Sequence, residues 1–329
     1  MATGIVSISA HILGHATSAR VLFLGNVAFY AAVWLLTLLR VVRHRDRVVA
    51  DFLHHGRCVG FFTAVAATCV LGSQALVVGG LPRVATALWV AGIVLWALLT
   101  YAVFTLLIVK GEKPALAEGI NGGWLLPVVA AQSVAVLGAQ LAPGFGSHAP
   151  PVLFFCAAMW LGGGMLYMWM ISMIVYRYTF FVLSPSDLAP PYWINMGAAA
   201  ISTLAGTFLV GAAAHSPVLQ QLLPFVRGFT LLWWATATWW IPMLVILGVW
   251  RHVLRRFPLR YDPLYWGAVF PLGMYTACTV RLADALDAPY VMAIPRVFFF
   301  VAFAAWTLAF VGMLARLAST LRPATRSPG

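Results

Sequence analysis

Residues 265–276 read YWGAVFPLGMYT, an apolar stretch that contains one proline and two glycines. A proline inside a helix removes one backbone hydrogen bond and bends the helix axis, whereas a glycine lets a second backbone or a solute approach closely. Phe270 immediately precedes Pro271 and therefore lies at the predicted bend. Two interpretations are open: Phe270 plugs a membrane pathway, or it packs against its neighbours in an ordinary kinked helix.

The composition of the chain is that of a membrane protein. Of its 329 residues, 63% are hydrophobic and only 9% are charged, against about 25% charged residues in a soluble domain. We therefore expect a lipid bilayer to cover most of the surface. No GxxxxGK[ST] sequence occurs, which argues against a nucleotide-driven pump. The net charge of +12 indicates topology rather than nucleic-acid binding.

Apolar segments account for nearly the whole chain, and each is predicted to be a transmembrane helix, since a span needs about 20 apolar residues. Short connections follow the odd-numbered segments, which predicts ten helices arranged as five helical hairpins. We expect one transmembrane pore domain over residues 1–320 and a short basic cytoplasmic tail over 321–329. The segments lie at 1–14, 20–42, 58–79, 84–109, 119–142, 151–183, 192–213, 225–250, 264–283 and 290–318.

The first segment is shorter than the others. As a helix, its roughly 14 residues would extend about 21 Å, less than the ~30 Å of a hydrocarbon core. We therefore expect this helix to be truncated, with its true start upstream of Met1. The alternative is a short first helix that is tilted or only half inserted.

The basic residues are distributed unequally between the two sides of the predicted bundle. Fifteen of the 20 lysines and arginines lie on the side where the even-numbered segments end. The positive-inside rule assigns this side to the cytoplasm. The sequence thus predicts a multi-pass protein of the cell (inner) membrane with both termini cytoplasmic.

The odd-numbered segments carry small and polar residues, as in 198–202 (AAAIS), whereas the even-numbered segments are bulkier, as in 298–300 (FFF). Small residues permit close helix packing. We therefore expect the odd helices to form an inner ring around a central pore and the even helices to face lipid. Hydroxyl and amide groups would hydrate an anion there, or would bond to neighbouring helices instead. The pore-lining candidates are Thr68, Gln132, Ser133, Ser202, Thr203 and Thr276.

Three arginines are candidates for attracting anions. Arg281 and Arg296 lie within or near helix ends, and Arg57 opens the third segment. A cation near hydrocarbon usually faces a partner or a cavity. The alternatives are that Arg281 pairs with Asp284 on the same helix face and that Arg57 extends its charge into the headgroup region.

The acidic and histidine residues argue against two other classes of protein. The eight acids all fall in loops or at helix ends, and proton-coupled carriers usually keep one within a span, so an uncoupled channel or uniporter is favoured. No cluster of catalytic residues is evident, and we predict neither an enzyme nor a cofactor. His11 and His15 have a spacing that suits a metal, but no third ligand is evident and no metal site is predicted.

Four motifs resemble the tellurite-resistance/C4-dicarboxylate transporter (TDT) family, which includes plant slow-type anion channels. They are TGIV at 3–6, EGINGGW at 118–124, PPYWINMG at 190–197 and WGAVFPL at 266–272. The resemblance runs over about residues 1–320 and implies quasi-five-fold symmetry, a homotrimer and a pore occluded by Phe270 before Pro271. It implies transport of C4-dicarboxylates such as malate, or of small inorganic anions and oxyanions, with tellurite resistance as one consequence. A proton-coupled dicarboxylate carrier is the alternative.

Overall fold

The computed structural model describes residues 1–321, which fold into helices and contain no β-strand. Residues 322–329, the larger part of the predicted basic tail, lie outside the described residues. The helices are α1 (Ala2–Ile12), α2 (Ala16–Arg43), α3 (Arg45–Leu53), α4 (Thr63–Val77), α5 (Pro82–Val109), α6 (Leu116–Gly119), α7 (Leu126–Leu141), α8 (Ala149–Phe180), α9 (Ile194–Ala212), α10 (Pro217–Gln221), α11 (Leu223–Val249), α12 (Trp266–Ala285) and α13 (Ala293–Leu321).

Each of the ten predicted apolar segments coincides in position with one helix, and the short helices α3, α6 and α10 lie in connections that were expected to be loops. Within residues 1–321, seven helical segments are long and apolar enough to cross a membrane. One of these, 122–180, contains both α7 and α8. The prediction of an all-α membrane protein is therefore confirmed at this level.

Helices α4, α7, α9 and α12 begin in a common way. A short 3₁₀ turn precedes each of α4, α7, α9 and α12, and these turns contain the aromatic residues that open the odd-numbered segments. Local hydrogen bonds stabilise two of these helix starts. The Asn121 side chain accepts from the Gly123 N–H at 2.8 Å, and the Asp262 carboxylate accepts from the Leu264 N–H at 2.8 Å. Such side-chain acceptors satisfy N–H groups that have no partner within the helix.

The helices fall into a buried set and an exposed set. Nearly all residues of α1, α7 and α9 are buried, and most of α4 and α12 are buried too. In contrast, α2, α5, α11 and α13 expose many large apolar side chains, as α8 does at Phe154 and Trp169. Exposure of so large an apolar surface to water would be unfavourable, whereas the hydrocarbon of a lipid bilayer accommodates it.

The five buried helices pack against one another in a closed sequence of contacts. Helix α1 contacts α4, α4 contacts α7, α7 contacts α9, α9 contacts α12, and α12 contacts α1. Each buried helix also contacts an exposed helix that follows it along the chain: α1 with α2, α4 with α5, α7 with α8, α9 with α11, and α12 with α13. The small residues of the buried helices allow this packing.

Helices α9 and α12 pack closely against each other at Pro271. A Cβ atom added to Gly197 would lie 2.7 Å from Cγ and 2.9 Å from Cβ of Pro271. The proline ring thus occupies the space that a side chain at position 197 would need. The glycine at position 197 therefore leaves the space on α9 that the Pro271 ring of α12 occupies.

We predict that Gly197→Ala lowers the stability of the protein by roughly 1–3 kcal/mol, the usual cost of overpacking a core. Thermal unfolding of the purified protein in detergent measures the change. Gly211→Ala is the matched control on the same helix, because nothing lies within 4 Å of its added Cβ; it should leave stability unchanged or raise it slightly. Equal melting temperatures for Gly197→Ala and wild type would contradict the packing described here.

Candidate functional site: a cavity enclosed by five helices

A narrow cavity lies where the five buried helices meet. Its wall is contributed by all five: Ile5, Ile8 and Ile12 from α1; Cys69, Val70, Ser73 and Val77 from α4; Ser133, Val136 and Gln140 from α7; Ile201, Leu204 and Phe208 from α9; and Met274, Ala277 and Arg281 from α12. The space that a water-sized sphere can occupy within it is about 20 Å³, enough for about one water molecule. The cavity is thus too narrow for a hydrated ion.

The lining residues recur at helical spacing, which identifies the face that each helix turns inward. On α12 they are Met274, Ala277 and Arg281, separated by three and four residues, as neighbours on one helix face are. Phe270 lies one turn before Met274 and so continues this face toward the start of α12. Its side chain is only 1% exposed. Phe270 itself is not among the residues that line the cavity; it is buried one helical turn before the lining residue Met274.

Small neighbours surround the region of Phe270. Gly197, which packs on Pro271, lies one turn before the lining residue Ile201. Gly273 brings α12 against α1, because a Cβ added there would lie 2.9 Å from a methyl group of Ile5. The Ser9 hydroxyl donates a hydrogen bond to the Gly273 carbonyl at 2.9 Å. The bent part of α12 is thus held on both sides, by α9 and by α1.

Of the six pore-lining candidates, Ser133 lines the cavity. The hydroxyls of Ser133, Ser202, Thr203 and Thr276 donate to carbonyls one turn earlier on their own helices. These bonds leave few hydroxyl donors free to bind an ion.

Thr68 and Gln132 are bonded to exposed helices instead. The Thr68 hydroxyl lies 2.8 Å from that of Tyr30 on α2. The Gln132 amide donates to the Trp160 carbonyl on α8 at 2.9 Å. These contacts match the interhelical alternative for polar residues in a membrane.

The polar groups that sequence reasoning missed are Ser73 and Gln140, which line the cavity together with Arg281. Oε1 of Gln140 is buried and has no hydrogen-bond partner among the described residues. Gln140 lies seven residues after Ser133, which is two helical turns, so the sequence spacing could have identified both residues as members of one helix face. The remainder of the wall is mostly aliphatic.

The three candidate arginines lie in different environments. Arg281 is partly buried on the cavity wall, and its guanidinium carbon lies 5.5 Å from the ring centroid of Phe208. The ion pairs found within residues 1–321 do not include the pair of Arg281 with Asp284 that was the alternative interpretation. Arg296 is exposed on α13. Arg57 is bound to Asp51, 2.9 Å from Oδ1.

The end of the molecule at which α2, α5 and α8 finish carries many basic side chains, and it is called the basic end below. Hydrogen bonds from Arg57 and Arg40 hold the pKa of Asp51 below its usual range. Burial lowers the pKa of His55, and the positive charge of Lys110 lowers it further. His55 is therefore mostly neutral at pH 7.

Arg177 is a buried cation at the basic end that the sequence reasoning assigned only to topology. It is 7% exposed, its Nε donates to the Ala117 carbonyl at 2.7 Å, and its Nη2 lies 3.5 Å from Asp187. Burial acts to raise the pKa of Asp187, but hydrogen bonds from Ser184 and the charge of Arg177 outweigh it, and the pKa is lowered. Arg177 thus ties two loops of the basic end together.

The same loops carry two of the sequence motifs. A Cβ added to Gly122 would lie 2.4 Å from the Pro191 carbonyl oxygen, so the EGINGGW and PPYWINMG segments are in direct backbone contact. Gly267 of the WGAVFPL segment also lies against Pro191. Three motifs that are distant in sequence therefore meet near the start of α12.

Comparison with known proteins agrees with this arrangement. The family model described as "SLAC1: Voltage-dependent anion channel" matches residues 1–314. The chain belongs to this family of anion channels and transporters. The predicted TDT resemblance is thereby confirmed, and the family is one of transporters rather than enzymes.

Individual relatives support the membership. The chain is 43% identical over 162 residues to an uncharacterized membrane protein of Mycobacterium tuberculosis, covering 49% of this chain and 82% of the relative. It is 27% identical over 265 residues to an uncharacterized transporter of Methanocaldococcus jannaschii, covering 78% and 72%. It is 25% identical over 312 residues to a sulfite efflux pump of Trichophyton rubrum, covering 88% and 80%. The protein is thus a multi-pass membrane protein of a family of anion channels and transporters.

Proposed function

We propose that the protein conducts small anions through a pore along the axis of α1, α4, α7, α9 and α12, and that Phe270, held by Pro271, is its gate. The observation that carries the proposal is the cavity lined by all five helices, and the buried Phe270 precedes its lining residue Met274 by one helical turn. In this proposal the ten long helices span the membrane as five hairpins with quasi-five-fold symmetry. Residues 1–320 then form a single pore domain.

The physical role of Phe270 is to keep the path dry. An anion cannot cross a narrow apolar constriction without losing its hydration, and that loss is costly when no polar group replaces the water. The aliphatic wall extends this barrier beyond the ring. Displacement of the ring, together with a small separation of the helices, would admit water and open the path.

Arg281 supplies the attraction for anions in this mechanism. It lies on the cavity wall with no carboxylate bound to it in the described part of the chain, and Gln140 and Ser73 line the same cavity. A partly buried cation raises the local concentration of anions more than an exposed one does. Arg296 and Arg57 would contribute at the surface, Arg57 less because Asp51 neutralises it.

The proposed orientation places the basic end in the cytoplasm of a cell (inner) membrane, in accordance with the positive-inside rule. Both termini are then cytoplasmic, Phe270 lies toward the cytoplasm and Arg281 toward the outside. A negative interior favours outward movement of an anion by about 2.3 kcal/mol per charge per 100 mV. An uncoupled pore of this kind would release anions from the cell.

The substrates that we propose are small inorganic anions and oxyanions, including sulfite, with malate and tellurite as further members of the same class. The similarity to a sulfite efflux pump supports an oxyanion. A proton-coupled dicarboxylate carrier is the second candidate, but none of the cavity-lining residues is acidic. A homotrimer is proposed from the family resemblance alone.

We predict that Phe270→Ala raises basal chloride flux in proteoliposomes by about tenfold or more, because removal of the ring lowers the dehydration barrier by at least ~1.4 kcal/mol. Flux is measured with and without a pH gradient, and malate replaces chloride in a second series. Phe180→Ala, in which an exposed ring at the end of α8 is removed, is the matched control. Unchanged flux in a folded Phe270→Ala protein would remove Phe270 from the mechanism, and a strict requirement for the pH gradient would favour the coupled carrier.

A second prediction concerns the cation on the cavity wall. Arg281→Gln should lower chloride flux about threefold to tenfold at low ionic strength and less in high salt, because the lost attraction is electrostatic. The measurement is made in the Phe270→Ala background, where flux is large. Arg296→Gln removes an exposed cation from α13 and should have a smaller effect; an equal effect of the two would contradict a special role for Arg281.

A further inference from the structure

A closed circuit of hydrogen bonds joins the gate helix α12 to the exposed helix α11. Its members are Trp234 and Thr238 on α11 and Tyr275 and Thr279 on α12. The Tyr275 and Thr238 hydroxyls lie 2.8 Å apart, and the Thr238 hydroxyl donates to the Trp234 carbonyl at 2.8 Å. The Trp234 indole N–H donates to the Thr279 hydroxyl at 3.0 Å, and the Thr279 hydroxyl donates to the Tyr275 carbonyl at 2.7 Å.

The hydrogen atoms available allow one arrangement of donors. A threonine hydroxyl has a single hydrogen, and those of Thr238 and Thr279 are used toward the two carbonyls. The Tyr275 hydroxyl must therefore donate to Thr238, and Thr279 accepts from Trp234. Every hydroxyl and indole hydrogen of the four residues is then satisfied within the circuit, which makes it a stable polar network in an apolar setting.

Both helices carry a proline close to the circuit. Pro242 lies one turn after Thr238 inside α11, and Pro271 lies one turn before Tyr275 inside α12. Each proline removes an intrahelical hydrogen bond and makes the helix easier to bend at that point. The Thr238–Tyr275 hydrogen bond thus connects a weak point of α11 with the segment that follows the bend of α12.

The aromatic part of Tyr275 extends the connection to a third helix. The Tyr275 ring is stacked on Trp234, with centroids 6.5 Å apart, and contacts Phe298 of α13 with centroids 4.8 Å apart. Tyr275 is only 1% exposed. It lies five residues after Phe270 and next to the cavity-lining residue Met274. Its contacts therefore connect the lining face of α12 to α11 and α13, whose other faces are exposed.

We propose that the circuit of Trp234, Thr238, Tyr275 and Thr279 positions α12 in its closed bend and so controls how often Phe270 leaves the path. Tyr275 and Thr238 are positioning residues: they act on the anion only through Phe270. The inference rests on the proposed gate. In the closed conformation described here the circuit is complete, so its loss should favour open conformations.

The test uses chloride flux and single-channel recording of the full chain in liposomes and planar bilayers. Tyr275→Phe removes the hydroxyl that donates to Thr238 and keeps the ring. We expect it to raise basal chloride flux about fivefold, the factor that corresponds to the loss of one net hydrogen bond. Thr238→Val should have a similar effect. The open probability should rise while the unitary conductance and the order of anion preference stay unchanged, which a general loss of stability would not produce.

Thr236→Val is the matched control. Thr236 is half-buried on α11, two residues from Thr238, and its hydroxyl bonds only to the Leu232 carbonyl of its own helix. The basal chloride flux of the Thr236→Val protein should equal that of wild type. Since the circuit acts through Phe270, Tyr275→Phe combined with Phe270→Ala should conduct no more than Phe270→Ala alone.

Two results would overturn the inference. One is wild-type open probability in folded Tyr275→Phe and Thr238→Val proteins, and the other is flux in the double variant that exceeds that of Phe270→Ala. If Phe270→Ala conducts and the circuit variants do not differ from wild type, only the inference fails. If Phe270→Ala itself does not conduct, the proposed gate fails instead.

Discussion

The contact between Gly197 and Pro271 is the constraint on which the rest of the core depends. It brings α9 and α12 into close contact at the proline that follows Phe270. The carbonyl that loses its N–H partner at a proline must be accommodated without water inside a membrane. A glycine on the neighbouring helix supplies the room for the proline ring, so the bend is tolerated in a closely packed core.

The close packing of the buried helices also explains how a chain with few charges can belong to a family of anion channels and transporters. Lipid faces the bulky side chains of α2, α5, α8, α11 and α13, whereas the five buried helices enclose a cavity that lipid does not reach. The wall is mostly aliphatic and leaves room for about one water molecule. In the proposed mechanism, closure is a property of the whole wall together with Phe270, and a modest movement of α12 would change both at once.

Much of the fold could be predicted from the sequence, because helix length and apolar composition are local properties. The ten apolar segments correspond to ten helices, and aromatic residues near the start of four odd-numbered segments lie in 3₁₀ turns that precede their helices. The rotation of each helix about its axis could not be predicted in the same way. Ser133 lines the cavity while Gln132, one residue earlier and about 100° around the helix, bonds to α8. Likewise, Trp233 and Trp240 are buried although they belong to an even-numbered segment, which was expected to face lipid, whereas Trp239 is 59% exposed.

If anions move along the axis of the five buried helices, as proposed, a bulky side chain on the cavity wall must obstruct them. The most direct measurement is chloride flux through the Phe270→Ala protein after a bulky residue has been placed on the cavity wall, with Ala277→Phe as the blocking change and Val245→Phe, on the exposed face of α11, as the control. We expect Ala277→Phe to abolish most of the flux in a protein that still unfolds cooperatively, and Val245→Phe to leave the flux intact. Full chloride flux through a folded Ala277→Phe protein would contradict this expectation, because the anions would then be crossing by another route.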